Sequence, residues 1–317
     1  MHIPDGLMAP AVAAIGWGEF AIVISVVLFI SRKRLQDKSL PRIAVLSAGI
    51  FAAQMINFPI GGGTTGHLVG GALLAILVGP TSAMIGLTVV LIIQALMFGD
   101  GGITALGLNA VNMAIIAPLS GWAVHTMLSR GEVKGHSNIA IACAAWVSVF
   151  LAAAACAAEL SVSFAISGGI YGISAVVSVP TVLGYHAVIG LGEAAITVGI
   201  MVYLDRVSPH MFARDDRRLG DAARVPRWWN VRAALAMMVV FALVLPLYFL
   251  YASDGKDGLE QTISNNGVGE GPPVLSSPFS YGQNYFEALF AGLLGFTAVG
   301  LALAGISRLL RPGALDR

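Results

Sequence analysis

Residues 66–98 read GHLVGGALLAILVGPTSAMIGLTVVLIIQALMF, and the division of this apolar stretch decides the topology of the chain. As a single helix it would be about 50 Å long, well beyond the ~30 Å hydrocarbon core of a bilayer. Gly79-Pro80 interrupts it, because proline lacks a backbone donor and its ring clashes with the preceding helical turn. We therefore predict two spans, 66–79 and 81–98. The first is only about 21 Å long, so it crosses if the bilayer thins or if the helix lies within the bundle.

The rest of the chain has the composition of a membrane protein. Of its 317 residues, 57% are hydrophobic and 11% are charged, whereas ordinary soluble domains have about 25% charged residues. Apolar runs of about 20 residues, the length that a bilayer requires, recur along the sequence. We predict an all-α polytopic membrane protein with spans at 12–30, 43–58, 66–79, 81–98, 104–128, 138–158, 176–204, 232–252 and 286–306.

The basic residues predict the orientation, because Lys and Arg favour the cytoplasmic ends of membrane spans. With nine spans and an external N-terminus, the cytoplasmic segments hold all 18 Lys and Arg residues except Lys256. If 66–98 were one span, the basic stretch 205–231 would instead lie outside. The distribution favours a multi-pass protein of the cell (inner) membrane, with its N-terminus outside and its C-terminus in the cytoplasm.

The start of the chain, Met1-His2-Ile3-Pro4-Asp5-Gly6, predicts a metal chelate. The α-amine of Met1, the backbone nitrogen of His2 and Nδ1 of its imidazole can close a five-membered and a six-membered ring on one metal. Planar nitrogen coordination of this kind suits Ni(II) or Cu(II). His67, which follows the glycine-rich run Gly61 to Gly66, is positioned to supply the fourth nitrogen. The alternative is that His2 is an ordinary solvated side chain.

The predicted topology places both parts of this site on one face of the membrane. Met1 and His2 lie outside, and His67 lies at the external mouth of the third span. No basic segment precedes the first apolar run, so we expect no cleaved signal peptide. Because a bulky residue, His2, follows Met1, we also expect Met1 to be retained. The chelate requires this, because processing would remove the amine from its position.

Six motifs within residues 1–205 occur together in this chain: Met1 to Gly6, Asn57-Phe58-Pro59, Gly66-His67-Leu68-Val69-Gly70-Gly71, Phe98-Gly99-Asp100-Gly101-Gly102, Gly107-Leu108-Asn109-Ala110-Val111-Asn112-Met113 and Gly190-Leu191-Gly192-Glu193. In this combination the chain resembles the NikM/CbiM family. Members of that family are the substrate-binding (S) components of energy-coupling-factor (ECF) transporters, a type of ABC importer for nickel and cobalt.

The resemblance implies a set of metal ligands and a set of partner subunits. It implies that Met1, His2 and His67 hold the metal in a plane, with Ni(II) as the transported substrate and Co(II) as the alternative. It also implies ATP-driven uptake with a separate transmembrane coupling (T) subunit and cytoplasmic ATPase subunits as partners. The chain is then not an enzyme, and its only Gly-Lys pair, Gly255-Lys256, does not continue as a Walker loop. No nucleic-acid partner is expected.

The chain divides into three parts. Residues 1–205 form the seven-span S component, 206–230 a basic cytoplasmic linker, and 231–317 two further spans joined by an external loop. The sequence Asp257-Gly258-Leu259-Glu260 in that loop resembles the NikN-type partner subunit, although Lys256 replaces the usual proline. Because the loop contains no His or Cys, we expect it to own no strong nickel site.

Other polar residues are candidates for a second shell around the metal: Asp5, Asn57, His186 and Glu193. Asp5 and Asn57 could orient the ligands, although Asp5 could equally be a turn residue before Gly6. His186 and Glu193 share a helical face, as a polar lining below the metal or as buried hydrogen-bonding groups to another helix.

Two further polar residues, Asn109 and Asn112, are expected to form hydrogen bonds between helices. An intramembrane metalloenzyme that uses His67, His186 and Glu193 is a less favoured alternative function, because the chain has no His-Glu-x-x-His helix.

Overall fold

The computed structural model describes residues 1–35, 40–61, 64–129, 137–207, 227–251, 256–268 and 271–309. The helices are α1 Pro10–Leu35, α2 Leu40–Gln54, α3 Gly71–Val78, α4 Pro80–Ile93, α5 Leu106–Asn109, α6 Ala117–Leu128, α7 Asn138–Ile166, α8 Ala175–Val207, α9 Arg227–Tyr251, α10 Gly258–Asn265 and α11 Tyr285–Leu309. Short π-helical segments extend α4 over Gln94–Phe98 and join α5 to α6 over Ala110–Ile116. The predicted all-α polytopic class is confirmed.

The long helices have the dimensions of membrane spans. Six helical stretches are long and apolar enough to cross a bilayer, namely Pro10–Ser31, Pro80–Phe98, Leu106–Leu128, Asn138–Ile166, Ala175–Arg206 and Tyr285–Ile306. Leu40–Gln54 and Ala234–Pro246 are shorter apolar helices. Together with α3, these helices place a helix within each of the nine predicted spans. Most of the predicted linker 206–230 lies outside the described residues.

The third predicted span is shorter than expected. The break at Gly79-Pro80 is confirmed, because α3 ends at Val78 and Pro80 occupies the first turn of α4. The predicted start at residue 66 is wrong, since residues 66 and 67 belong to a strand and α3 begins only at Gly71. Its eight residues span about 12 Å. Six of them are buried, so α3 lies inside the bundle.

A β-hairpin precedes α3 and was not predicted. Strand β1, Asn57–Gly61, pairs antiparallel with strand β2, Thr64–His67. The glycine-rich run that the sequence suggested as a loop therefore carries His67 at the end of an ordered strand. In this register Asn57 lies opposite His67.

The C-terminal helices pack on the rest of the bundle through α2, which contacts both α9 and α11. Gly295 on α11 allows this approach, because a Cβ there would lie 2.0 Å from the Phe51 ring. This packing brings the segment between α9 and α11, which contains α10, over the N-terminus of the chain.

Candidate metal site

The N-terminal segment is threaded into the bundle and held by its backbone. The N–H of Ile3 donates to Oδ1 of Asn109 at 2.9 Å, and Nδ2 of Asn109 donates to the Ile3 carbonyl at 3.1 Å. Gly102 N–H donates to the same carbonyl at 2.8 Å. Met1 is 2% exposed. Asn109 was expected to bond to another helix, and this is wrong: its amide matches the two backbone groups of Ile3, which fixes the position of Met1 and His2.

Asp5 is a second anchor of this segment. Its Oδ1 accepts hydrogen bonds from the backbone and hydroxyl of Thr104, and Oδ2 accepts from Val274 N–H at 3.0 Å. Burial raises the pKa of the Asp5 carboxyl, but these hydrogen bonds outweigh burial and hold it below its usual value. Gly6 has φ 76°, and a Cβ there would lie 2.5 Å from Gly271. Asp5 thus ties the start of the chain to the loop before α11.

The side chain of His67 points one nitrogen at the N-terminus. Its Nδ1 lies 3.0 Å from the Leu68 carbonyl, which can only accept, so Nδ1 carries the proton. Nε2 then presents its lone pair to the Met1 amine, 3.3 Å away. This is the arrangement that a metal-binding imidazole requires, with the second nitrogen fixed by an outer hydrogen bond. Asn57 is the cross-strand neighbour of His67 in the hairpin.

Glu193 holds the turn that follows His67. Its two carboxylate oxygens accept from Val69 N–H and Gly70 N–H, both at 2.7 Å. Gln54 donates to the Val69 carbonyl at 2.8 Å. Glu193 is fully buried, and its role is to satisfy the backbone between β2 and α3. It supports His67 indirectly.

His186 lines the space beside His67 without making a hydrogen bond to it. Its Nδ1 lies 2.8 Å from the Val182 carbonyl of the same helix. Both oxygens of Glu193 are engaged by backbone, so His67, His186 and Glu193 do not form a catalytic group. The metalloenzyme alternative therefore gains nothing from the geometry.

The ring of His2 is held by Asp100. Its Nδ1 lies 3.0 Å from Oδ1 of Asp100, and Tyr281 donates to the other oxygen of Asp100 at 2.8 Å. The ring stacks on His67 with centroids 5.2 Å apart, and its Nε2 is buried with no partner. Burial raises the pKa of Asp100, but His2 outweighs burial and holds it well below the usual range. The sequence pattern did not indicate Asp100 as a functional residue.

Asp257 of the C-terminal segment reaches the same place. One carboxylate oxygen, Oδ1, accepts from the N–H groups of Leu259 and Glu260 and caps α10. The other, Oδ2, contacts the Met1 amine and lies 3.8 Å from Nε2 of His67. The sequence predicted that this external loop lies on the same face as Met1 and His67 and, having no His or Cys, owns no strong nickel site; it did not predict a direct contact between Asp257 and the Met1 amine. The pattern Asp257-x-x-Glu260 predicts the start of a helix. It does not predict that Asp257 contacts the Met1 amine.

Charge complementarity stabilises this contact. Burial lowers the pKa of the Met1 amine, but the Asp257 carboxylate outweighs it and the net pKa is raised. Burial likewise raises the pKa of Asp257, and the Met1 charge together with His67 lowers it well below its usual value. Both groups are therefore charged at neutral pH.

A small cavity of about 10 Å³, enough for one water-sized body, lies between these groups and is lined by Met1, His67, Val69, His186, Ile189 and Asp257. Within the described ranges, no three His, Cys, Asp or Glu side chains converge as a metal cluster. A metal held here would have to use the N-terminal amine and backbone nitrogen as well as side chains.

Comparison with known proteins places this geometry in a family. A model of the cobalt uptake substrate-specific transmembrane region, CbiM, matches residues 2–211. The chain belongs to the CbiM family. The CbiM match covers the N-terminal segment, the hairpin with His67 and helices α1 to α8. Met1, at the residue before the match begins, and Asp257 and Tyr281 of the C-terminal segment are the groups of the site that lie outside it.

Individual relatives extend the match. The fused nickel transport protein NikMN of Rhodobacter capsulatus is 35% identical over 259 residues, which cover 77% of this chain and 73% of that protein. The cobalt transport protein CbiM of Geobacter sulfurreducens is 29% identical over 98% of this chain and 90% of that protein. A crystal structure of a truncated transition metal transporter, 38% identical, superposes with a TM-score of 0.58 and covers 65% of this chain and 99% of that one.

These likenesses show a NikM/CbiM-type chain with a fused C-terminal module. The protein is therefore a multi-pass membrane component of a nickel and cobalt transport family, and a transport protein rather than an enzyme.

Proposed function

We propose that this protein captures Ni(II) at the external face of the membrane for ATP-driven uptake, as the S component of an ECF-type importer. The observation that carries the proposal is the 3.3 Å approach of the Met1 amine to Nε2 of His67 beside a buried cavity. Nitrogen ligands lie about 2 Å from a first-row divalent metal, so two of them at right angles are about 3 Å apart. The backbone nitrogen of His2 is the next donor along the chain.

In this proposal Met1, His2 and His67 are the ligands. The His2 ring must give up its contact with Asp100 so that its Nδ1 can complete the plane of nitrogen ligands. Asp5, Asn57, His186 and Glu193 surround them, and the contacts of Asp5 and Glu193 support an anchoring role for those two residues. Residues 1–205 are the metal-binding unit, 206–230 the cytoplasmic linker and 231–317 a NikN-like module. The N-terminus lies outside and the C-terminus inside, and a T subunit and ATPase subunits are the partners.

Nickel is favoured over cobalt as the substrate. Planar nitrogen coordination suits Ni(II), and a relative with the same fused arrangement is named as a nickel transport protein. A competition titration of the purified chain with a native Met1 tests this choice. We expect Ni(II) to displace Co(II) at equal concentration and to develop the visible absorption of planar Ni(II). Preference for Co(II), or Ni(II) binding without the planar spectrum, would contradict the proposed site.

Metal affinity should fall as the pH is lowered. Amine, amide and imidazole donors must lose protons to bind a metal, so binding releases protons. The Asp257 carboxylate raises the pKa of the Met1 amine, so protons compete with the metal up to a higher pH than at a free α-amine. The dissociation constant, measured between about pH 5 and 8, should increase steeply toward acid. Circular dichroism at each pH controls for unfolding, and a flat profile of affinity would argue against nitrogen ligation.

A further inference from the structure

We propose that Asp257 of the fused module is an oxygen ligand in a loading site, formed with the Met1 amine and His67, that the metal occupies before His2 completes the planar site. This inference rests on the proposed function and adds a residue and a step to it. The observation behind it is that donors from three separate segments line one cavity, whereas His2 does not line it and its Nδ1 is engaged by Asp100.

The distances between the three donors fit a shared cation. Oδ2 of Asp257 contacts the Met1 amine and lies 3.8 Å from Nε2 of His67, and the amine lies 3.3 Å from that same Nε2. Ligands about 2 Å from one metal are separated by about 3 Å when adjacent and by about 4 Å when opposite. A divalent cation that replaces the proton charge of the amine can therefore contact all three with small side-chain movements.

Hydrogen bonds to Oδ1 hold the Asp257 carboxylate in a position where Oδ2 faces the cavity. Oδ1 accepts two backbone hydrogen bonds from the first turn of α10, so the side chain cannot turn freely into solvent. The preceding carbonyl, of Lys256, accepts from Thr65 N–H at 3.0 Å, and Thr65 and Asp257 form a β-bridge. The hairpin that carries His67 thus also fixes the carboxylate opposite His67.

The ring of His2 is the proposed donor that is engaged by another residue. Its Nδ1 is occupied by Asp100, whose second oxygen is bound by Tyr281 of the module. A metal that reaches the cavity in this arrangement meets the amine, His67 and Asp257 first. Ni(II) accepts mixed nitrogen and oxygen ligands in tetragonal geometry. When His2 then binds, its amide nitrogen and Nδ1 lose their protons to solvent, Nδ1 leaves Asp100, the two nitrogens complete the plane and the oxygen of Asp257 is released.

The experiment isolates the loading site by removing the His2 ring. His2→Ala keeps the amine, His67 and Asp257, and should retain weak Ni(II) binding by the full-length purified chain. In that background, Asp257→Asn and Asp257→Ser should each weaken residual Ni(II) binding at least about tenfold, the scale of losing a group that supports a metal site. Asn and Ser both remain good N-caps, so α10 should be preserved.

Glu260→Gln is the matched control for charge. Glu260 lies one turn from Asp257, and its carboxylate accepts a hydrogen bond from the Asp257 N–H. Glu260→Gln removes one negative charge, as Asp257→Asn does, but Glu260 does not line the cavity. In the His2→Ala background, Glu260→Gln should change residual Ni(II) binding less than about twofold. Equal losses for Glu260→Gln and Asp257→Asn would reduce Asp257 to a general electrostatic attraction and overturn the ligand assignment.

A rate measurement decides the case where residual binding is too weak to titrate. With His2 intact, the planar Ni(II) absorption should develop at least about tenfold more slowly in Asp257→Asn than in the parent or in Glu260→Gln. An unchanged rate would overturn the inference, and a faster rate would identify Asp257 as a blocking partner of the amine instead. If the parent chain itself binds no Ni(II), the proposed function fails, which is a separate and distinguishable result.

Discussion

Adding a single residue ahead of Met1 should reduce Ni(II) affinity at least about a hundredfold, or roughly 2.7 kcal/mol. The addition moves the free amine one residue away from Nε2 of His67 and from Asp257, so the set of donors that Met1 and His2 form together with His67 is lost. The site also has no room for the extra residue, because Met1 is 2% exposed and its amine is paired with Asp257. Breaking such a buried pair is itself costly.

The control for this experiment is restoration of the native start. If the extra residue is removable by a specific protease, cleavage should return full Ni(II) affinity in the same preparation. Comparison of thermal unfolding before and after cleavage separates a lost ligand from a displaced segment. Full affinity in the extended protein that His67→Ala still weakens would contradict the proposed chelate.

His67→Ala should weaken Ni(II) binding by more than about a hundredfold, exceeding the usual cost of an outer-shell change. His67 supplies Nε2 from a separate segment, and among the described residues it is the imidazole within hydrogen-bonding distance of the Met1 amine. The fold should survive, because among the described residues the polar partners of the His67 side chain are the adjacent Leu68 carbonyl, the Met1 amine and Asp257. Isothermal titration of the purified variant measures the loss directly.

His186→Ala is the comparison that gives this result its meaning. His186 lines the same cavity but bonds to the Val182 carbonyl of its own helix. We expect it to change Ni(II) affinity much less than His67→Ala. If the order of the two effects were reversed, His186 would be the imidazole ligand and His67 a packing residue.

Some features could be predicted from sequence because their causes are local. The break at Gly79-Pro80 follows from the covalent structure of proline, and the helices follow from apolar runs of the length that a bilayer requires. The chelating potential of Met1 and His2 depends only on bonds between adjacent residues. The identification of His67 needed the family resemblance or the topology, since nothing local ties position 67 to position 1.

Other features depend on backbone geometry that the sequence pattern did not indicate. The glycine-rich stretch before His67 has few β-branched or aromatic residues, so the signal for the hairpin is weak. Two further glycines obscured the start of α3, which begins at Gly71 directly after Gly70, a residue with positive φ. Asn109 was expected to pair with a helix because amides often do so, yet its partner is the backbone of Ile3.

The sequence by itself determined a bundle of apolar helices with a nitrogen-rich N-terminus, because both follow from composition and covalent geometry. Only the tertiary structure decided which groups meet that terminus. The carboxylate of Asp257, 256 residues away, contacts the Met1 amine because α11 packs on α2 and carries the C-terminal loop over the site. The same packing brings Tyr281 to Asp100, and Tyr281 donates a hydrogen bond to the carboxylate that holds the His2 ring. Contacts of this kind are selected by shape and charge across the bundle, and no sequence period encodes them.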